Sequence, residues 1–168
     1  SQFALYKGKN SLALGDVVCM SFADNKPIPV AGTYGAVLTD DEILHEKIKV
    51  VRKNGKPDRM ADYETAGVSS QPEEEKAVQV LASYQHFDEW QKRRHEISNY
   101  YDSKFKGKIS TRPRPQYSQW NAHKYTIMVA DKFEAYNLLL DAGIETERHY
   151  VDNFSRLLWT PNVDEHFD

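Results

Sequence analysis

The chain has 168 residues, a formal net charge of −3, 40% apolar residues and a single cysteine. This charge argues against a general nucleic-acid binder, which needs a basic surface to displace counterions from phosphates. No apolar stretch reaches membrane-spanning length, no signal-peptide pattern opens the sequence, and one cysteine excludes both an internal disulfide and a multi-cysteine metal site, so a soluble, cytoplasmic enzyme or binding domain is expected.

Residues 1–8 read as a chain already under way rather than as the start of a fold. Two short apolar runs follow, Val17-Val18-Cys19-Met20 and Tyr34-Gly35-Ala36-Val37-Leu38-Thr39. They predict two buried strands, with Cys19 packed inside the first. Between them lies Ser21-Phe22-Ala23-Asp24-Asn25-Lys26-Pro27-Ile28-Pro29. Most loop lysines are solvated charges. A lysine on a tight connection between buried strands is different, because its amine can be held in a cleft. Attack on an aldehyde requires such an amine in its neutral form.

Thr39-Asp40-Asp41-Glu42 has capping-box spacing, with Thr39 as the N-cap. Leu44, Ile48 and Val51 recur at helical spacing, so residues 40–52 read as an amphipathic helix that Asn54-Gly55 and Pro57 terminate. Residues 54–72 are polar and form a long connection. Glu73-Glu74-Glu75 suits the first turn of a helix, where negative charge is stabilised. The positions Ala77, Val80, Leu81, Tyr84, Phe87, Ile97 and Tyr101 then mark the face of one long helix over residues 76–104. Lys92-Arg93-Arg94, His86 and His95 read as its solvated side. Arg112-Pro113-Arg114-Pro115 predicts an extended linker, and residues 116–120 give no clear element.

Tyr125 to Val129 alternates as a strand. Asp131 to Glu134 repeats the capping pattern before a helix carrying Phe133, Tyr136, Leu139 and Leu140, with Gly143 as its stop. Residues 144–151 read as a further strand. The histidines and carboxylates show no metal-ligand spacing. A helix packed on a small sheet, an α/β (α+β) arrangement, is the fold expected from these elements.

Gly15-Asp16 to Ser21-Phe22, then Lys26, then Gly32 to Glu42 resembles, without a gap, the lysine segment of the DegT/DnrJ/EryC1/StrS-type sugar aminotransferases. That pattern runs G-D-x-x-x-x-S-F, three residues, the cofactor lysine, a Gly-rich turn, a strand and T-D-D/N-E. Phe87-Asp88-Glu89-Trp90 with Arg93-Arg94-His95-Glu96-Ile97 resembles the family's L-D-E-W…R-R-x-I helix. His123-Lys124-Tyr125, Gly143 to Thr146 and His149-Tyr150 resemble its C-terminal half.

The resemblance implies the C-terminal half of a fold-type-I, pyridoxal-phosphate-dependent enzyme that moves an amino group onto a nucleotide-linked keto-sugar. Residues 1–60 would end the large cofactor-binding domain, and residues 61–168 would give the connecting helix and the small C-terminal domain. It further implies Lys26 as the residue that holds the cofactor covalently and shuttles the proton, and Ser21 as a donor to its phosphate. Gln2 would be a cofactor contact, and His149 and Tyr150 would lie in the substrate pocket. The family's G-Y-N-x-R appears as Gly67-Val68-Ser69-Ser70-Gln71, which puts Ser69 where the family's asparagine reaches the partner subunit's cofactor in a homodimer. The pyridinium-pairing aspartate would fall one residue before Ser1, so these residues alone are expected to be inactive. The other reading is a non-catalytic relative that binds a sugar nucleotide or a partner chain.

Overall fold

The computed structural model describes residues 2–148. They fall into two compact units, one of residues 2–106 with 112–126, the other of residues 107–111 with 127–148.

In the first unit, β1 (Leu5–Tyr6) turns through Lys7 (φ 49°) and Gly8 (φ 76°) into β2 (Lys9–Asn10). Two left-handed residues in a two-residue loop are what a tight hairpin twist demands. With β6 (Ser118–Gln119) these strands form an antiparallel sheet in the order β2-β1-β6. Neither this hairpin nor the strand within residues 116–120 was legible from apolar patterning, because each strand has only two residues.

The expected strand pair is β3 (Val18–Ser21) and β4 (Gly35–Leu38), antiparallel with Cys19 opposite Val37. It is a two-stranded ribbon with one covered face, so burial alternates along both strands. Val18, Met20, Ala36 and Leu38 face inward; Cys19 and Val37 face out. The expectation that Cys19 is buried is thus corrected, since no second layer covers its side among the described residues.

Helix α1 (Glu42–Arg52) is capped by Asp41, not Thr39: the Asp41 carboxylate accepts from the amides of Ile43 and Leu44 at 2.7 and 3.0 Å. Thr39 instead donates its hydroxyl to the Asp16 carbonyl at 2.7 Å and accepts from the Asp41 amide. Asn54 and Gly55, both left-handed, end the helix as expected. The chain returns alongside it, with the Val68 amide on the Val51 carbonyl and an isolated antiparallel bridge between Lys53 and Ser69.

The single long helix is two: α2 (Glu74–Gln85) and α3 (Phe87–Phe105), broken at His86 (φ −97°, ψ −1°). No Gly or Pro marks the break. Phe3 meets Tyr84 and Phe87 there, with ring centroids 5.8 and 5.1 Å apart, and His86 stacks on Trp90 at 5.4 Å. Tertiary aromatic contacts override local helix propensity at this point. At the far end of α3, Asp102 accepts from Tyr125 (2.8 Å) and from both terminal nitrogens of Arg114 (2.6 and 3.1 Å), while Arg114 lies 4.1 Å over Trp120. The Arg-Pro-Arg-Pro stretch forms no regular element, and it is pinned at Arg114. Burial pushes the Asp102 carboxyl up, yet the bonds from Tyr125 and Arg114 hold it below the ordinary range.

The second unit pairs β5 (Ser110–Thr111) with β7 (Ile127–Met128) and continues into α4 (Lys132–Asp141). Asp131 caps α4, and Gly143 (φ 76°) closes it, its amide bonding the Leu140 carbonyl while the Ile144 amide bonds that of Leu139. Residues 144–148 are not a strand; the rest of that expected strand lies outside the described residues.

Candidate functional site

The best-buried part of the described residues is the segment that bears Lys26. Phe22, Ile28 and Val30 are the buried cluster, with Phe3, Met20, Tyr34, Ala36, Val80 and Phe87 packed against it. Pro27 and Ile28 are almost completely enclosed. An irregular segment can be buried only if its backbone polar groups find partners. Here some partners are internal: the Lys26 amide bonds the Ala23 carbonyl at 2.8 Å, and the Val30 amide bonds that of Phe22 at 2.8 Å. Pro27 and Pro29 remove two amides that would otherwise need acceptors.

The remaining groups are gripped by side chains from remote elements. Gln2, itself buried, donates to the Ser21 and Ile28 carbonyls (2.7 and 3.3 Å) and accepts from the Ile28 amide (2.7 Å). His123 meets the Asn25 carbonyl at 2.7 Å. Arg94 of α3 donates to the Pro27 carbonyl at 3.4 Å, and Ser83 of α2 donates to that of Pro29 at 2.8 Å. Gln79 accepts from the Ala31 amide, and Lys76 donates to the Ala31 carbonyl. The turn is thus held from the N-terminal segment, from both helices and from residues 121–123.

Lys26 emerges from this grip half-buried, and its amine makes no hydrogen bond or ion pair among the described residues. Ser21 is exposed at the end of β3; its oxygen accepts from the Ala23 amide at 3.3 Å, which leaves the hydroxyl hydrogen to donate elsewhere. Both amide hydrogens of Gln2 are committed to the loop, so its contribution here is to fix the turn and the end of β3. Ser21 and Lys26 therefore lie on one segment, and Gln2 binds that segment's backbone at Ser21 and Ile28. Ser69 stands on the strand-like return after α1, bridged to Lys53 and exposed. His149 and Tyr150 lie outside the described residues. A cavity of about 610 Å³ is lined by Lys53, Lys56, Arg59, Tyr63 and Gln71 among others, none of them on the lysine turn.

Sequence reading missed His123, Asn121 and Ser83 as parts of this site, and it placed Arg94 on the solvated side of the helix. Arg94 is half-buried, with one terminal nitrogen enclosed and unpartnered, and burial lowers its pKa. His95 is also half-buried, against Gln91 at 2.9 Å. Burial lowers the pKa of His123; the bond to Asn25 opposes this, and the charges of Lys26, Lys124 and Arg94 add to it. Among the described residues no group of three or more His, Cys, Asp or Glu could hold a metal ion, and no helix is long and apolar enough to cross a membrane.

Residues 2–164 match the DegT/DnrJ/EryC1/StrS aminotransferase family. The chain belongs to that family. It is 29% identical over 148 residues to the UDP-2-acetamido-2-deoxy-3-oxo-D-glucuronate aminotransferase of Pseudomonas aeruginosa, covering 88% of this chain and 41% of that protein. It is also 29% identical over 152 residues to the dTDP-3-amino-3,4,6-trideoxy-alpha-D-glucose transaminase of Streptomyces venezuelae, covering 88% and 39%. Among solved structures, a DegT DnrJ EryC1 StrS aminotransferase from Brucella abortus superposes with a TM-score of 0.86 at 22% identity, over 94% of this chain and 42% of that one. The chain thus spans about two-fifths of the length of the relatives it matches, and its mixed helices and strands follow the fold of this group.

Proposed function

We propose that this chain supplies the lysine-bearing portion of a pyridoxal-phosphate-dependent aminotransferase that acts on a nucleotide-linked keto-sugar. The observation that carries the proposal is the turn itself: Lys26 is the one lysine on a loop whose backbone is bound by Gln2, Arg94, Ser83 and His123, while its own amine is uncommitted among the described residues. The donor set fits a phosphorylated aldehyde. A primary amine on a fixed turn can take up the aldehyde, a serine hydroxyl five residues earlier can donate to phosphate, and Arg94, Lys124 and Lys26 give the surroundings positive charge.

Pyridoxal phosphate, when bound, supplies an electron sink for the carbon that gives up its proton. Lys26 would hold the group covalently and, once released, carry the proton at its Nζ. Ser21 would anchor the phosphate, and Gln2 would keep the end of β3 and the lysine turn in fixed relation. Ser69 would reach the cofactor site of a second subunit in a homodimer, and His149 and Tyr150 would line the sugar pocket. In the natural full chain residues 1–60 would close the large cofactor-binding domain and residues 61–168 would form the helical connection and small domain, in a cytoplasmic enzyme. Ser69 and Gln71, where the family carries asparagine and arginine, favour as the second reading a relative that binds the sugar nucleotide without turnover.

The test is to mix the natural full chain with pyridoxal phosphate, reduce with borohydride and map the label, then to assay amino transfer from glutamate to a nucleotide-linked keto-sugar. A label on Lys26 with transfer is expected. A label on another lysine, or none, overturns the proposal. A label on Lys26 without transfer selects the second reading.

A further inference from the structure

His123 faces the lysine turn from a segment built to present it. Ala122, buried, has φ +48°, and Phe3, which follows Gln2, has φ +55°. Left-handed backbone is strained for a non-glycine residue and persists where the surroundings over-determine it. Both strained residues adjoin a gripping side chain. The kink at Ala122 separates two neighbours that hold the same turn by different routes. Asn121 donates to the Gln2 carbonyl at 3.0 Å and accepts from the His123 amide at 3.3 Å, while His123 reaches the Asn25 carbonyl directly.

We propose that His123 is a positioning residue for Lys26, fixing the lysine turn by donating from Nε2 to the Asn25 carbonyl. A carbonyl oxygen only accepts, so Nε2 must carry the hydrogen, and in the neutral ring Nδ1 keeps its lone pair. The charged groups that act on the ring are Lys26 on the turn, Arg94 on α3 and Lys124 on its own segment, all cationic. A second proton on the ring would keep the bond to Asn25 but add a fourth positive charge beside the amine. The neutral Nε2–H form is the one that holds the turn without this repulsion. The effect on Lys26 chemistry rests on the function proposed above; the holding of the turn does not.

Three measurements on the natural full chain test this. Nitrogen-15 shifts of His123 should show the neutral Nε2–H form at pH 7.5; an Nδ1–H form, which leaves Nε2 with no hydrogen to donate, overturns the proposal even if no variant folds. Amide exchange at Lys26, whose N–H bonds the Ala23 carbonyl, should be faster in His123→Phe than in the wild type. His123→Gln, whose amide can donate from nearly the same place, should recover most of the protection. The rate at which pyridoxal phosphate modifies Lys26 should fall roughly 10- to 100-fold in His123→Phe, the scale expected when a reacting group is misplaced by about an ångström, and be largely rescued in His123→Gln. Unchanged exchange and unchanged modification in His123→Phe overturn the proposal. If wild-type Lys26 takes no label while its amide still loses protection in His123→Phe, the functional reading fails and the positioning role stands.

Discussion

The side chain of Gln2 and the backbone of Ile28 exchange a pair of hydrogen bonds, the Ile28 amide donating at 2.7 Å and its carbonyl accepting at 3.3 Å. A glutamine amide has the donor and acceptor geometry of a peptide, so Gln2 takes the place of a neighbouring strand beside a segment that has none.

Gln2→Ala should remove that substitute and leave the enclosed Ile28 amide without an acceptor. The expected loss is roughly 1–3 kcal/mol of unfolding free energy, the cost of one buried unsatisfied group. Gln2→Glu should be worse, because it aims a carboxylate at the carbonyls of Ser21 and Ile28. Denaturant titration of the full chain reads both; an unchanged midpoint for Gln2→Ala would show that the grip contributes nothing.

Gly67→Ala should destabilise the loop after α1. A Cβ at Gly67 would lie 2.0 Å from the Gly55 nitrogen, and one at Gly55 would lie 1.8 Å from the Thr65 carbonyl oxygen. Backbone meets backbone there, so no side chain can yield. A loss on the order of 2–4 kcal/mol is expected, together with faster amide exchange at Asn54 and Val68, whose bonds tie the two strands of the loop. Glycine in this part of the family motif is thus a packing requirement, separate from whatever Ser69 contacts.

Stability should fall on acidification through the His123 ring. Its folded pKa is depressed below the ordinary value of about 6.5. The unfolded chain therefore binds more protons just below that value. The neutral-ring contribution is fully present above about pH 6.5 and declines as pH falls toward the folded pKa. His123→Gln should flatten this part of the stability–pH curve. A slope unchanged by the substitution would assign it to other groups.

Lys26→Ala should leave the fold nearly as stable, within about 0.5 kcal/mol, since the amine makes no hydrogen bond or ion pair among the described residues. It should also abolish both the borohydride-trapped label and amino transfer. A large drop in melting temperature would instead make Lys26 a structural residue.

The ribbon and its lysine were legible because β3 and β4 are contiguous apolar runs with a proline-marked connection, and α4 because Asp131 and Gly143 punctuate both its ends. The contacts that make the connection a site were not. They join Arg94 to Pro27 and His123 to Asn25 across 67 and 98 positions, and they end on backbone atoms, which carry no residue-type pattern. The break at His86 was hidden for a related reason, since Phe3, at the other end of the unit, helps to set it. Cys19 was misplaced because periodicity reports which residues share a face, not whether anything covers that face.

The grip on the lysine turn closes almost entirely on carbonyls and amides. Those atoms survive substitution, so the turn can keep its path while Ala23, Asp24, Asn25 and Lys26 drift in identity. The demand for particular side chains is moved to distant positions, 2, 83, 94 and 123. A descendant that lost its lysine would therefore keep the same loop, and tolerance of folding, scored separately from activity, should show a permissive stretch at residues 23–26 flanked, far away in sequence, by intolerant single sites.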